Sequence, residues 1–148
     1  MRKLLVHVNR QEAELIEDNK VIKIYTISTA ANGLSCEAGS NCTPTGKLRI
    51  AKKIGAGLPE GTVFRARVPV SEDWSAESQE DLVLSRILWL EGAEEKNANT
   101  LNRYIYLHGT NQEHLLGTPA SHGCIRFGVS EICEVFDELI EGDVVEVI

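Results

Sequence analysis

The chain has 148 residues, 43% hydrophobic, with a formal net charge of −7 and a pI near 5.1, which suits one domain able to bury a sustained core. An acidic balance with no long basic run speaks against a nucleic-acid or anionic-membrane surface, and no stretch approaches the roughly 20 apolar residues of a membrane span. The opening run Met1-Arg2-Lys3-Leu4-Leu5-Val6-His7-Val8 is interrupted by His7 and Asn9, too early for a signal-peptide core; a cytoplasmic location is expected, or a periplasmic one if a leader has been removed.

Leu4, Val6 and Val8 share one face of a period-two run, and a second run, Val21 to Ser28, follows the turn-prone Asp18-Asn19, which predicts an opening hairpin. From Ser28 to Gly46 periodicity is lost, and Asn32-Gly33, Gly39-Ser40 and Thr43-Pro44-Thr45-Gly46 are successive turn signals. A loop of this length is a candidate wall for a cleft. Leu48 and Ile50 alternate with Lys47 and Arg49 as a half-buried strand. Phe64, Ala66 and Val68 alternate with Arg65 and Arg67, a further strand whose basic face is either solvated or turned toward an anionic substrate. The chain is polar from Trp74 to Asp81, and Leu82 to Leu90 is read as a buried strand rather than one side of a helix.

Tyr104, Tyr106 and His108 fall on one face of the next run and Ile105 and Leu107 on the other, so His108 is expected at a strand end beside two aromatic rings. Ser130 is a candidate N-cap, and Ile132, Val135, Phe136, Leu139 and Ile140 recur at helical spacing. Gly142 is expected to end that helix, and Val144 to Ile148 to form a last strand. Together these elements predict a single mostly-β domain over residues 1–148, a sandwich or barrel-like sheet with one late helix packed on it.

Four cysteines, Cys36, Cys42, Cys124 and Cys133, match no dense disulfide framework and are expected as thiols, with Cys36 and Cys42 able to pair only in an oxidising compartment. Cys133, in the helical pattern, reads as a small buried hydrophobe. Cys124 differs because of its setting in Ser121-His122-Gly123-Cys124-Ile125-Arg126, downstream of His108-Gly109-Thr110. A thiol attacks as the thiolate and needs a base beside it, and a turn through Gly123 can expose the sulfur and aim backbone N–H groups at one point. His108 and His122 are each candidate bases or packed core histidines. A mixed-ligand zinc site on His108, His122, Cys124 and a further cysteine is a competing reading, disfavoured because no Cys-x-x-Cys or His-x-x-x-His spacing accompanies it. Arg126 is either a surface charge or a bidentate clamp for a substrate carboxylate.

These two motifs resemble the signature of the L,D-transpeptidase catalytic domain, or YkuD domain, and the resemblance extends to the opening strands, the Thr43-Pro44-Thr45-Gly46 turn and the last strand. It implies a cysteine enzyme acting on peptidoglycan stem peptides at the bond between a diamino acid, usually diaminopimelate, and terminal D-alanine. Carried onto this sequence, it makes Cys124 the nucleophile and His108 the base, oriented by the carbonyl of Gly109. Ser121, His122 and Gly123 would shape the turn, and amides around Gly123 and Cys124 would hold the oxyanion. The gap from His108 to Ser121 is shorter than in many members, and Arg126 stands where some carry Asn. Tyr106, Lys53, Arg65, Arg67 and Arg126 are the candidates for binding the peptide. No metal or cofactor is implied, and a carbapenem would be a covalent inhibitor. In the cytoplasm, where no wall holds an amine acceptor in place, the expected activity is an L,D-carboxypeptidase that trims tetrapeptide stems to tripeptides in murein recycling. L,D-transpeptidation or exchange of the terminal D-amino acid is the alternative, and a non-catalytic wall-peptide binding module is a third reading.

Overall fold

Alternation in the first 26 residues builds three strands. A computed structural model describes residues 1–148 and shows β1 (Arg2–His7), β2 (Glu12–Glu17) and β3 (Lys20–Thr26) as an antiparallel meander. Asp18 and Asn19 are the turn between β2 and β3, both left-handed with φ of 50° and 67°, a region these side chains tolerate better than most. The predicted hairpin is therefore β2 with β3, and β1 is a third strand laid against β2. Ala13 and Leu15 are the buried positions of β2, alternating with Glu12 and Glu14.

The last strand closes back on the first. β10 (Val144–Val147) runs parallel to β1 and antiparallel to β4 (Gly46–Ile54), and β4 pairs antiparallel with β7 (Val83–Gly92). The predicted strand from Phe64 to Val68 is corrected to a hairpin, β5 (Val63–Arg65) and β6 (Val68–Val70), reversing at Ala66 and Arg67 with φ of 49° and 67°. Neither residue is a usual left-handed turn former, which is why alternation alone read straight through them.

β7 organises the other half. Its Ser85, at φ 72°, is a bulge: Leu84 pairs with Gly109 and Ile87 with His108 of β8 (Tyr106–Gly109), so two residues of β7 lie unmatched between consecutive positions of its partner. Such a bulge bends and twists the strand, and beyond it β7 takes up β5 through Val63 and Phe64. β8 is in turn parallel to β9 (Ile125–Phe127). Ser28 then bridges Arg126, its N–H donating to the Arg126 carbonyl at 3.0 Å and its carbonyl accepting from Arg126 N–H at 2.9 Å. The segment following β3 thus meets the far strand β9, and the single ten-stranded sheet is rolled into a barrel-like form.

One contiguous apolar cluster fills the roll, including Leu4, Val6, Leu48, Leu88, Leu107, Ile125 and Phe127. The helix α1 (Glu131–Glu138) contributes Ile132, Val135 and Phe136 to it. Ile140, predicted on the inner face, is 65% exposed, because the helix ends at Leu139, whose backbone is already extended. Gly142, at φ 94°, turns the chain into β10 rather than capping the helix. Ser130 makes no side-chain cap; its hydroxyl donates to Glu60 Oε2 at 3.0 Å. Glu131 and Glu134 supply the acidic first turn that favours the helix N-terminus.

Candidate active site

The parallel pair β8–β9 sorts its side chains by face. Leu107 is in register with Ile125 and His108 with Arg126, and Leu107, Ile125 and Phe127 all point into the core. Alternation therefore puts Tyr106 and His108 on the opposite face of β8, with Cys124 and Arg126 on that same face of β9. Cys124 packs against the Phe64, Ile87 and Tyr106 cluster rather than the main core. In that register Cys124 falls opposite Tyr106, two positions from His108 along the same face of the pair.

The thiol is held by the backbone of the preceding strand. Tyr106 N–H donates to Cys124 Sγ at 3.3 Å, and the thiol donates to the Tyr104 carbonyl at 3.4 Å. Burial pushes the Cys124 thiol up to about 12, the Tyr106 amide opposing only in part. His108 is 2% exposed, with Nδ1 2.7 Å from the carbonyl oxygen of Gly109. A carbonyl only accepts, so Nδ1 carries the proton and Nε2 keeps its lone pair. Desolvation lowers the His108 pKa below its ordinary 6.5, outweighing the raising effects of Asp81 and the Gly109 carbonyl. At neutral pH the resting pair is thus a neutral thiol and a neutral imidazole, with no stored thiolate.

Two glycines fix this geometry. A Cβ on Gly109 would sit 2.7 Å from the carbonyl oxygen of Leu84, so only glycine lets β8 lie this close to the bulged end of β7. Gly123 has φ 137°, where L side chains are strained, and a Cβ there would approach Ile105 Cδ1 at 3.2 Å and the Cys42 carbonyl at 3.3 Å. Ser121 tightens the same turn, its Oγ donating to the Cys124 carbonyl at 2.6 Å and accepting from Gly123 N–H at 3.2 Å. The long loop from Ser28 to Gly46 packs directly on this turn. Thr43 Oγ1 donates to the Gly123 carbonyl at 2.9 Å while accepting from Ala30 N–H at 3.0 Å, and Ala31 N–H donates to the Ser121 carbonyl at 2.9 Å. Arg103 pins the outer part of the loop through the carbonyls of Ser35 and Cys42.

Arg126 is neither a surface charge nor a substrate clamp: it is 0% exposed. Its Nη1 donates to Asp81 Oδ1 and Gln112 Oε1, each at 2.9 Å, and Nη2 to Ser28 Oγ at 3.3 Å. The polar 71–81 segment and the Asn111-Gln112 loop roof it over, Asn111 tying the two together through Leu82 N–H and the carbonyls of Ser75 and Glu80. Asp81, Asn111 and Gln112 went unseen in the sequence, since nothing local marks a carboxylate 45 residues upstream as the partner of Arg126. His122 is also displaced from the centre: its side chain is 79% exposed and its Nδ1 lies 3.9 Å from Asp81 Oδ2. With His122 at the rim, His108, His122 and Cys124 do not converge as a ligand set, and no group of three metal-ligating side chains gathers in the chain.

Two further candidates are engaged elsewhere. Arg65 is held at the surface by Glu72 and Glu80, at 2.6 and 2.8 Å. Lys53 donates to the Leu139 carbonyl at 2.7 Å and lies over the Phe136 ring, on the helix side of the sheet. Arg67 instead reaches the tyrosine whose backbone holds the thiol, donating to Tyr106 Oη at 3.0 Å. All four cysteines are free thiols, Cys36 and Cys42 included.

A buried imidazole with an unprotonated Nε2 and a thiol on a glycine turn thus lie on one face of the rolled sheet. The chain belongs to the L,D-transpeptidase catalytic domain family, whose YkuD model matches residues 2–147. No curated protein matches the chain. Among solved structures it is similar to the L,D-transpeptidase from Mycobacterium smegmatis, with a TM-score of 0.66 and 16% identity, covering 99% of this chain and 58% of that one. The L,D-transpeptidase from Xylanimonas cellulosilytica gives 0.63 and 18%, covering 99% and 60%. L,D-transpeptidase 3 from Mycobacterium tuberculosis, solved with a faropenem-derived adduct, gives 0.61 and 14%, covering 99% and 59%. At these identities the likeness is one of fold, and the chain spans about three-fifths of each of those structures.

Proposed function

We propose that the chain cleaves the L,D bond of a peptidoglycan stem tetrapeptide through a thioester on Cys124, with water as acyl acceptor: an L,D-carboxypeptidase yielding tripeptide and D-alanine. The observation that carries this reading is the fixed tautomer of His108, which leaves Nε2 unprotonated on the side of the sheet that bears the sulfur. As Sγ attacks the carbonyl carbon of the diamino acid, Nε2 takes the thiol proton. The resting pair is neutral, so thiolate arises within the attack rather than before it. The Gly123 amide is engaged with Ser121 Oγ, which leaves the Cys124 amide as the nearer donor to the developing oxyanion. The imidazolium then protonates the D-alanine nitrogen as the C–N bond breaks. In the second half Nε2 takes a proton from water, hydroxide attacks the thioester, and the departing sulfur regains the proton.

Water is the acceptor proposed for a chain that works where no wall holds an amine beside the thioester. With a D-amino acid or a second stem amine held there, the same acyl-enzyme would exchange or cross-link. Family membership and the adduct-bearing relative support β-lactam acylation of Cys124, so a carbapenem is the proposed covalent inhibitor. The reading is tested by mass analysis of a purified tetrapeptide muropeptide incubated with the chain, with and without an added D-amino acid. Loss of D-alanine alone is expected, and it stops in Cys124→Ala. Incorporation of the added residue would replace water with an amine as acceptor. Unchanged peptide, as a binding module would leave it, or turnover undiminished in Cys124→Ala, would overturn the proposal.

A further inference from the structure

The β5–β6 hairpin carries a guanidinium that the fold holds without neutralising. Arg67 Cζ lies 5.0 Å from the Trp89 ring centroid and 4.9 Å from that of Tyr104, and Nη1 donates to Tyr106 Oη at 3.0 Å. That is its one side-chain hydrogen bond, and no carboxylate pairs with it, although Arg65 two residues earlier holds both Glu72 and Glu80. In a chain of net charge −7, an arginine stacked on two aromatic rings, bonded to the hydroxyl of a third and left free of acid keeps its charge available to an anion. Cation–π contact fixes the plane of the guanidinium while leaving most of its five donors unused. Two of these residues also adjoin the reacting sulfur: Tyr106 supplies the N–H at 3.3 Å from Cys124 Sγ, and Tyr104 the carbonyl at 3.4 Å. The turn itself is unfavourable. Ala66 and Arg67 both take left-handed φ, where Asn-Gly is the preferred pair, so a large charged side chain occupies a position that local backbone preference would deny it.

Resting on the catalytic reading above, we infer that Arg67 is the specificity-determining residue for the donor peptide, binding one of its carboxylates by a bidentate pair while Cys124 addresses the scissile carbonyl. The carboxylate is either the terminal one of D-alanine or that on the side chain of diaminopimelate. Both present the same fork-shaped partner.

The test measures equilibrium binding to Cys124→Ala, which cannot turn the peptide over, and to Cys124→Ala/Arg67→Asn. Asparagine accepts left-handed φ, so the turn survives loss of the guanidinium. Three ligands are compared: the diaminopimelate tetrapeptide, its C-terminal amide, and the tetrapeptide amidated on the diaminopimelate side chain. Arg67→Asn is expected to weaken the parent peptide about 10- to 100-fold, the range for a charge-assisted hydrogen-bonded pair. One of the two amides should bind the Arg67 chain equally weakly and lose nothing more on Arg67→Asn; which amide does so identifies the carboxylate. Arg67→Lys keeps the charge without the fork and should recover part of the affinity. Equal affinity of the parent peptide for both chains, or an unchanged preference among the three ligands, overturns the inference. Arg67-dependent binding with no turnover by the Cys124 chain would remove the catalytic reading alone. Turnover with a KM indifferent to Arg67 would remove the inference alone, and no binding of any peptide would remove both.

Discussion

The two faces of the β8–β9 pair are both buried but hold different chemistry. On one, Leu107, Ile125 and Phe127 merge into the apolar core with α1; on the other, Tyr106, His108 and Arg126 are buried and Cys124 half-buried, and all keep their polar atoms. On the inner face burial stabilises by removing apolar area. On the outer face it works against charge, lowering the basicity of His108 and raising the thiol pKa, so that both groups rest neutral. The Arg126 guanidinium is met there by Asp81 and Gln112, each at 2.9 Å. One pair of strands thus supplies stability from one side and reactivity from the other.

Substitutions on opposite faces should separate these contributions. The largest effect is expected from His108→Asn, which removes Nε2 as base and should reduce kcat on the tetrapeptide about a thousandfold, within the range for general-base loss, with a normal circular dichroism spectrum. On the inner face, Leu107→Ala should cost about 3–4 kcal/mol by leaving a cavity, read from the denaturant midpoint, while the folded fraction retains the wild-type rate. If Leu107→Ala abolished turnover without loss of stability, the separation of the faces would fail. Asp81→Asn should cost about 2–3 kcal/mol, somewhat under the usual range for breaking a buried pair because Asp81 is partly exposed. An unchanged midpoint would show that Arg126 does not depend on Asp81.

Near neutral pH the smallest expected effect is in the pH dependence of stability. His108 folds with a lowered pKa, so its contribution is full above about 6.5 and is lost as pH falls through the folded value. Cys124 folds with a raised pKa, so its contribution is full below about 9 and is lost as pH rises toward about 12. Stability should be flat between these limits as far as these two groups determine it. Cys124→Ala should soften the alkaline limb and leave the acid limb in place; an alkaline limb identical in both chains would show that the thiol is not held protonated by the fold.

Much of this organisation was legible in the sequence, and the exceptions have physical reasons. The alternation around Leu48 and Leu107, the apolar run from Leu82 to Leu90 and the helical spacing from Ile132 to Phe136 predicted strands and a helix that are present, because each element buries one face against a single core. Local motifs also placed Gly109, Ser121 and Gly123 beside the histidine and the cysteine, since those contacts are close in sequence. What failed depends on distance or on disfavoured backbone. The hairpin at Ala66-Arg67 lacks Gly or Asn, and β2 is a strand whose outward positions are mostly glutamates. Arg126 was misplaced because its burial is decided by Asp81 and Ser28, far along the chain. Lys53 and Arg65 were candidates by charge alone, and their partners, the Leu139 carbonyl and the Glu72 and Glu80 carboxylates, leave them outside the site.

That a neutral imidazole at His108 delivers Cys124 as the nucleophile is tested most directly by intact-protein mass spectrometry during incubation with a carbapenem. The expected result is one adduct per chain on Cys124, none in Cys124→Ala, and formation slowed at least about a hundredfold in His108→Asn. A folded wild-type chain that acquires no adduct, or one acylated equally fast without His108, would contradict it.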